Sequence, residues 1–406
     1  MVGLAYLPGG EPVSFCYRLA LLKISMPRRL NARTLSLPLS KKSVTLPSPR
    51  LPTEMLDEII QFALVLASGD LDYPGFAFIR SFTLASSSFR KIAFRRYLSS
   101  LTLNTLSQLD STFRLLLSLE KVPVIGAFSW VRTVHAPSGI LSAQPYASQL
   151  RFLTNLDELS INCNHEGFST YQQRFKLICA NLTSRSSITS LTTLTLTALP
   201  RIETNLLQRI AQSFPSVVNL YLSCTERLNF SHCWYCLEDS LTCTMHSPVP
   251  ERYLEVQDLA TAFANALKPL KNLTHLHLGV FLSHEDLVYS HMQHAPRYLG
   301  HPEIVSAPDE CDVCADHAKD VRMDELAASL IIAQKIRALQ TIGWSSFFGI
   351  GDSNWDTNGE KADGDDNDGR GAEVENTNSD IVGNDCKTKI WILRKNGRVR
   401  VRRVPW

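Results

Sequence analysis

The chain has almost no net charge. Its 406 residues carry 41 Lys and Arg against 39 Asp and Glu, a formal +2 at pH 7, so bulk charge offers no attraction to nucleic acid or to a membrane surface. It has no uninterrupted apolar run of about 18 residues, which argues against a transmembrane helix, and its N-terminus lacks a secretory h-region. It contains no Gly-x-Ser-x-Gly elbow, no Gly-x-x-x-x-Gly-Lys-Ser/Thr loop and no Gly-x-Gly-x-x-Gly fingerprint. The usual sequence marks of serine hydrolases, nucleotide hydrolases and dinucleotide enzymes are therefore missing, and a non-enzymatic role is expected. Ten cysteines without a secretion signal read as reduced thiols, which favours metal binding over a disulfide framework. The expected location is cytoplasmic or nuclear.

Charge is unevenly spread. From Met1 to Thr53 the only acidic residue is Glu11, against eight Lys and Arg. This basic, Ser-rich stretch weakly resembles a mitochondrial transit peptide, but reads more simply as a disordered leader over 1–49, or an upstream extension with Met26 as an alternative start. The segment 351–386 is dense in Asp, Asn and Gly and should be disordered, having too little apolar surface to offset chain entropy. Its Asp363-x-Asp365-x-Asn367 run is no EF-hand: the required Gly is displaced to Gly369 and Val374 takes the place of the closing Glu. From Lys387 to Arg403 every charge is positive.

What the chain does have is a recurring aliphatic phrase. It reads Leu156-x-x-Leu159-x-Ile161, Leu191-x-x-Leu194-x-Leu196, Val217-x-x-Leu220-x-Leu222, Leu273-x-x-Leu276-x-Leu278 and, frayed, Leu339-x-x-Ile342-x-Trp344. In an extended strand the second and third aliphatics face the same side, and the first sits in the preceding turn. Such strands bury their apolar faces only by stacking beside one another. Helical periodicity precedes them, over Leu106–Glu120, Thr170–Leu182, Glu203–Phe214, Val256–Leu267 and Asp324–Ala338. Trp130–His135 alternates less cleanly and follows the first of these helices. The expected fold class is α/β: a solenoid of helix and parallel strand over 101–350, with insertions at 225–252 and 283–322.

Ahead of this array, Leu51-Pro52-x-Glu54-x-Leu56-x-x-Ile59 opens a helix, with Pro52 at its start and acids in its first turn. Leu84-Ala85-x-x-x-Ser88-Phe89-Arg90-x-Ile92-Ala93 follows, after a loop. Together these residues resemble an F-box over 50–100, and the whole chain resembles fungal-type F-box proteins with degenerate leucine-rich repeats. Two departures are visible: the 67–76 linker is long, and Phe89 stands where many F-boxes carry Trp. The resemblance implies a substrate receptor of a Skp–cullin–F-box ubiquitin ligase. Leu51, Pro52, Leu56, Ile59 and Ile92 would bury against the Skp-type adaptor, while the solenoid would hold an unidentified protein target and partner enzymes would perform the chemistry. The rival is a free-standing interaction scaffold whose N-terminal helices only cap the array. A weaker rival is a nucleic-acid binder using the basic C-terminus.

Two further motifs carry expectations. Asn396-Gly397 between alternating segments predicts a β-hairpin over 387–406, with Trp391, Val399 and Val401 packed. Cys233-x-x-Cys236 and Cys311-x-x-Cys314 each offer two thiolates on one edge of a tetrahedron. Loops after adjacent strands would bring the pairs to one rim, as a structural Cys₄ zinc site. His275 and His277 flank Leu276 and should face away from the core, most simply as decoration of an exposed strand face.

Overall fold

A computed structural model describes residues 52–67, 76–120, 126–164, 166–184, 190–224, 249, 252–280, 282, 312–345 and 387–403. The predicted leader, the acidic segment and most of the insertion at 225–252 lie outside these residues.

The five aliphatic phrases become five neighbouring strands: β3 (Glu158–Asn162), β4 (Thr193–Leu199), β5 (Asn219–Cys224), β6 (His275–Gly279) and β7 (Thr341–Ser345). They pair in parallel with the leucines in line. Leu159, Leu194, Leu220, Leu276 and Ile342 form one row across the sheet; Ile161, Leu196, Leu222, Leu278 and Trp344 form the next. The leading residues Leu156, Leu191, Val217, Leu273 and Leu339 are fully buried in the turns beneath. Each such side chain contributes about 1.5–3 kcal/mol by leaving water, which is why so loosely spaced a repeat still closes into one core. Two more strands, β1 (Ser100–Thr102) and β2 (Thr133–Pro137), extend the rows through Leu101 and Val134. Among the described residues the sheet has nine strands in chain order, mostly parallel, within a mixed α/β architecture.

The turns are joined as well as the strands. The carbonyls of Ser99, Arg132, Asp157, Thr192, Val218 and Thr274 each accept two consecutive N–H groups from the next turn, at 2.7–3.1 Å. Hydroxyls reinforce this: Ser190 donates to Leu156 O at 2.9 Å, and Ser216 to Leu191 O at 2.9 Å. The ladder therefore starts before the strands do, and the polar turn residues have backbone partners.

Helices α1 (Thr53–Ala67), α2 (Ala77–Ala85) and α3 (Ser87–Tyr97) precede β1. Between the strands lie α4 (Leu106–Glu120), α5 (Ser138–Leu141), α6 (Phe168–Thr183), α7 (Thr204–Ser213), α8 (Val256–Leu267) and α9 (Asp312–Lys335), with short 3₁₀ turns at Ala127–Trp130 and Tyr146–Phe152. One continuous core runs from Leu56 in α1 to Ile390 near the C-terminus. Helix α9 begins twelve residues earlier than its periodicity predicted, so the insertion expected at 283–322 is helical over its last part. The stretch 312–323 carries Asp312, Asp316, His317, Lys319, Asp320 and Arg322 and lacks a clear apolar stripe, which hid it.

Strand β4 departs from simple alternation. Ala198 has φ 53, and the register with β5 shifts between Leu196 and Leu199. This bulge turns Leu199 back into the core, where it is fully buried.

The hairpin forms as predicted from Asn-Gly: β8 (Lys387–Lys395) and β9 (Arg398–Arg402) flank Asn396 at φ 53 and Gly397 at φ 72. Positive φ at both positions is what a two-residue turn matched to strand twist requires. Of the residues expected to pack, Val401 does so, while Val399 and Trp391 are only half-buried. β8 adds antiparallel to β7 with Ile342 opposite Ile390, so Ile390 is buried, Ile392 and Val401 pack on the core, and Trp391 lies half-buried on the other face. No helix among the described residues is long and apolar enough to cross a membrane.

Candidate interaction surfaces

The N-terminal helices are apolar on two faces. In α1, Leu56 and Ile60 point inward against Ile79 of α2 and Ile92, Ala93 and Phe94 of α3, all buried. About 110° round the helix from Leu56 and Ile60, Met55, Ile59 and Phe62 stand at 49%, 45% and 65% exposure. Spacing of four and three residues puts this trio on one stripe. Leu84 of α2, 67% exposed, is a further uncovered leucine of the same three-helix group. The group is held in place by polar contacts at its edge. Asp57 of α1 accepts hydrogen bonds from Arg96 Nε at 2.8 Å and Arg95 at 3.0 Å, with a second Arg96 contact to its other oxygen. The Arg96 guanidinium holds the Asp57 carboxyl below the usual carboxylate range. Ser86 Oγ caps α3 by accepting the Phe89 N–H at 3.2 Å.

The five residues expected to meet an adaptor are thus divided. Leu51 lies outside the described residues; Pro52 and Ile59 are exposed; Leu56 and Ile92 are buried in the chain's own core at 9% and 6% exposure. The side chains of Leu56 and Ile92 pack within the chain's own core, where they hold α1 against α3. Met55 and Phe62 are the exposed apolar residues of α1 beside Ile59. The sequence shows Met55, Ile59 and Phe62 as an apolar stripe at helical spacing, about 110° round the helix from Leu56 and Ile60.

The second surface is the face of the sheet opposite the leucine rows. Its middle row runs Thr102, His135, Ser160, Thr195, Tyr221, His277, Gly343 and Lys389 from β1 to β8. His275 and His277 do face away from the core. His277 stacks on Tyr221 with centroids 4.4 Å apart, and leans over Gly343, where a Cβ would meet its Nδ1 at 2.5 Å. His275 Nδ1 lies 2.8 Å from Thr341 Oγ1, and burial and the nearby Lys389 charge lower its pKa. On β8 the Lys389 ammonium sits 4.4 Å from the Trp391 ring centroid.

Behind the sheet, acids stand at helix starts: Glu203 and Glu255 are the N-caps of α7 and α8, and Glu166 precedes α6. Glu166 accepts from Ser138 and from Arg174 at 2.5 Å, and Glu203 pairs with Arg252 at 2.5 Å. Their charges suit the positive helix ends. Cys163, Cys179 and Cys224 are free thiols near this layer, pushed by burial to a pKa of about 12, so they stay protonated and unreactive.

Of the four cysteines expected to bind zinc, Cys233, Cys236 and Cys311 lie outside the described residues, as does the side chain of Cys314 within α9. Among the described residues no three His, Cys, Asp or Glu side chains are grouped to hold a metal ion. No protein-family model and no curated protein matches the chain.

Proposed function

We propose that the chain is a non-enzymatic recognition subunit of a Skp–cullin–F-box type ubiquitin ligase: α1–α3 act as the F-box and dock on the adaptor, and the strand array acts as a leucine-rich solenoid that presents a protein target. The observation that carries this reading is the uncovered Met55–Ile59–Phe62 stripe on α1, on a three-helix group at one end of a parallel array. A helix whose inner face is already filled has no folding reason to expose three large apolar side chains, whereas a partner that covers them would gain about 25 cal/mol per Å². The docking residues in this reading are Pro52, Met55, Ile59 and Phe62, with Leu84 beside them.

One feature also supports the scaffold alternative. The core passes without a break from α1–α3 into β1 and β2, as a cap on the first repeat would require. Titration of the full chain with a purified Skp-type adaptor separates the two. The ligase reading expects micromolar binding or better, reduced more than tenfold by Ile59→Glu with Phe62→Glu, both exposed positions whose change leaves the fold intact. Absence of binding by the wild type at micromolar concentration leaves the scaffold.

A further inference from the structure

Helices α6 and α7 flank a cavity of about 250 Å³. Its polar lining is Tyr171 and Gln172 from α6, with Asn205, Gln208, Arg209 and Gln212 from α7. Asn205, Gln208 and Gln212 are three and four residues apart, so they share one stripe of α7 with Arg209 beside it. Neither helix contains an Asp or Glu. Tyr171 is 1% exposed, yet its hydroxyl has no hydrogen-bond partner among the described residues. The Arg209 guanidinium is half-buried and likewise forms no hydrogen bond or ion pair among them. Other charges of this layer are met: Arg174 pairs with Glu166, and Arg252 with Glu203. A buried hydroxyl beside a half-buried cation, both unmet, is costly, and native proteins seldom keep such groups without a ligand or ordered water.

We infer that this cavity binds a carboxylate, carried either by an acidic residue of a partner peptide or by a free small acid. The planar fork of Arg209 matches the two oxygens of a carboxylate. Burial pushes the pKa of the Tyr171 hydroxyl up, so the phenol remains a donor. The side-chain amides supply further donors, together with acceptors for a polar body attached to the acid. One guanidinium neutralises a monoanion. A phosphate dianion would leave one charge unmet, and would be repelled more strongly by Glu203, whose charge acts on the same hydroxyl. An apolar ligand would cover the amides without satisfying them. The inference is independent of the ligase reading, because no residue of α1–α3 lines the cavity.

The test is saturation-transfer NMR on the full chain with four probes: N-acetylglutamic acid α-amide, its glutamine counterpart, propionate and inorganic phosphate. The better carboxylate probe is expected to bind with a Kd of about 1 mM, and the glutamine counterpart and phosphate at least about fivefold more weakly. Tighter binding of the glutamate probe than of propionate assigns a peptide-borne acid; propionate binding at least as well assigns a free one. R209Q should weaken the carboxylate about tenfold, with R209K between, because an ammonium lacks the fork. Y171F should weaken it about threefold and leave thermal unfolding unchanged, since the hydroxyl it removes has no partner to lose. Equal binding of the glutamate and glutamine probes, preference for phosphate, or undiminished binding in R209Q would each overturn the inference. So would the absence of any carboxylate binding at about 10 mM, the result expected if ordered water alone fills the cavity. The comparison of probes on wild type stands even if a variant misfolds.

Discussion

Arg394 ties the hairpin to the last helix, and its removal should loosen both. From β8 its guanidinium donates to the carbonyls of Ala333 at 2.9 Å and Ile336 at 2.9 Å, and to that of Leu339. Helix α9 ends at Lys335, so these carbonyls belong to its final turn and to the turn that leads into β7. The last carbonyls of a helix have no partner within it, and a cation there also opposes the negative helix end. After Arg394→Ala, Ile336 O keeps the Leu339 N–H at 3.3 Å, while Ala333 O and Leu339 O lose this donor. Each buried acceptor left bare costs about 1–3 kcal/mol. Water will reach part of the site, and the guanidinium no longer bears the burial that lowers its pKa. Both effects reduce the loss, so the net expectation is about 2–3 kcal/mol. Urea unfolding of Arg394→Ala, Arg394→Lys and wild type measures it, with the Lys variant intermediate because one ammonium cannot span three carbonyls. Hydrogen exchange should show faster amides in β8, β9 and the end of α9, and little change in β2–β5. An unfolding free energy within about 0.5 kcal/mol of wild type with unchanged hairpin protection would refute the capping argument.

Three other outcomes are expected. Asp57→Asn should destabilise the chain at pH 7. Because the folded carboxyl has a lowered pKa, its contribution is complete above the unfolded value of about 3.9 and is lost as pH falls through the folded value. Stability curves of variant and wild type should accordingly converge in acid; a gap that widens there contradicts this account. Gly279→Ala places a Cβ 2.6 Å from Ser223 Cα and 2.8 Å from Leu222 O, backbone atoms that cannot swing aside, so β5 and β6 must part at a cost of about 1–3 kcal/mol or more. Gly343→Ala, which meets the movable His277 ring, should cost less in the same thermal melt. For the proposed Cys₄ zinc site, protein purified under reducing conditions should carry close to one zinc per chain by elemental analysis, lost in Cys233→Ser with Cys311→Ser; metal-free wild type removes the site.

The legible parts were those fixed by local physics. Helices α4 and α8 match their predicted limits, because an apolar stripe at helical period and a clear stop identify a helix from its own residues. Asn396-Gly397 identified its turn for the same reason. Strand β1 went unseen: three residues of Ser-Leu-Thr have no period, and only pairing with β2 makes them a strand. The phase of β8 was also hidden, since Lys389–Leu393 alternates acceptably in either sense until Ile342 selects Ile390.

The candidate surfaces divide along the same line. Sequence alone decided that the aliphatic phrases would stack, because no single strand of that pattern can hide its own leucines. It also decided that the chain would end in a basic hairpin. Which apolar residues of α1 remain outside was settled only by packing. Leu56, Ile59 and Phe62 are equally apolar, and contact with α2 and α3 alone buries the first and leaves the others in water. Likewise the charges of Arg394 and Arg403 read as surface in the sequence, yet one caps α9 and the other pairs with buried Glu325. Side-chain chemistry is written along the chain, but a group becomes core, cap or free surface only through neighbours that folding brings from distant positions.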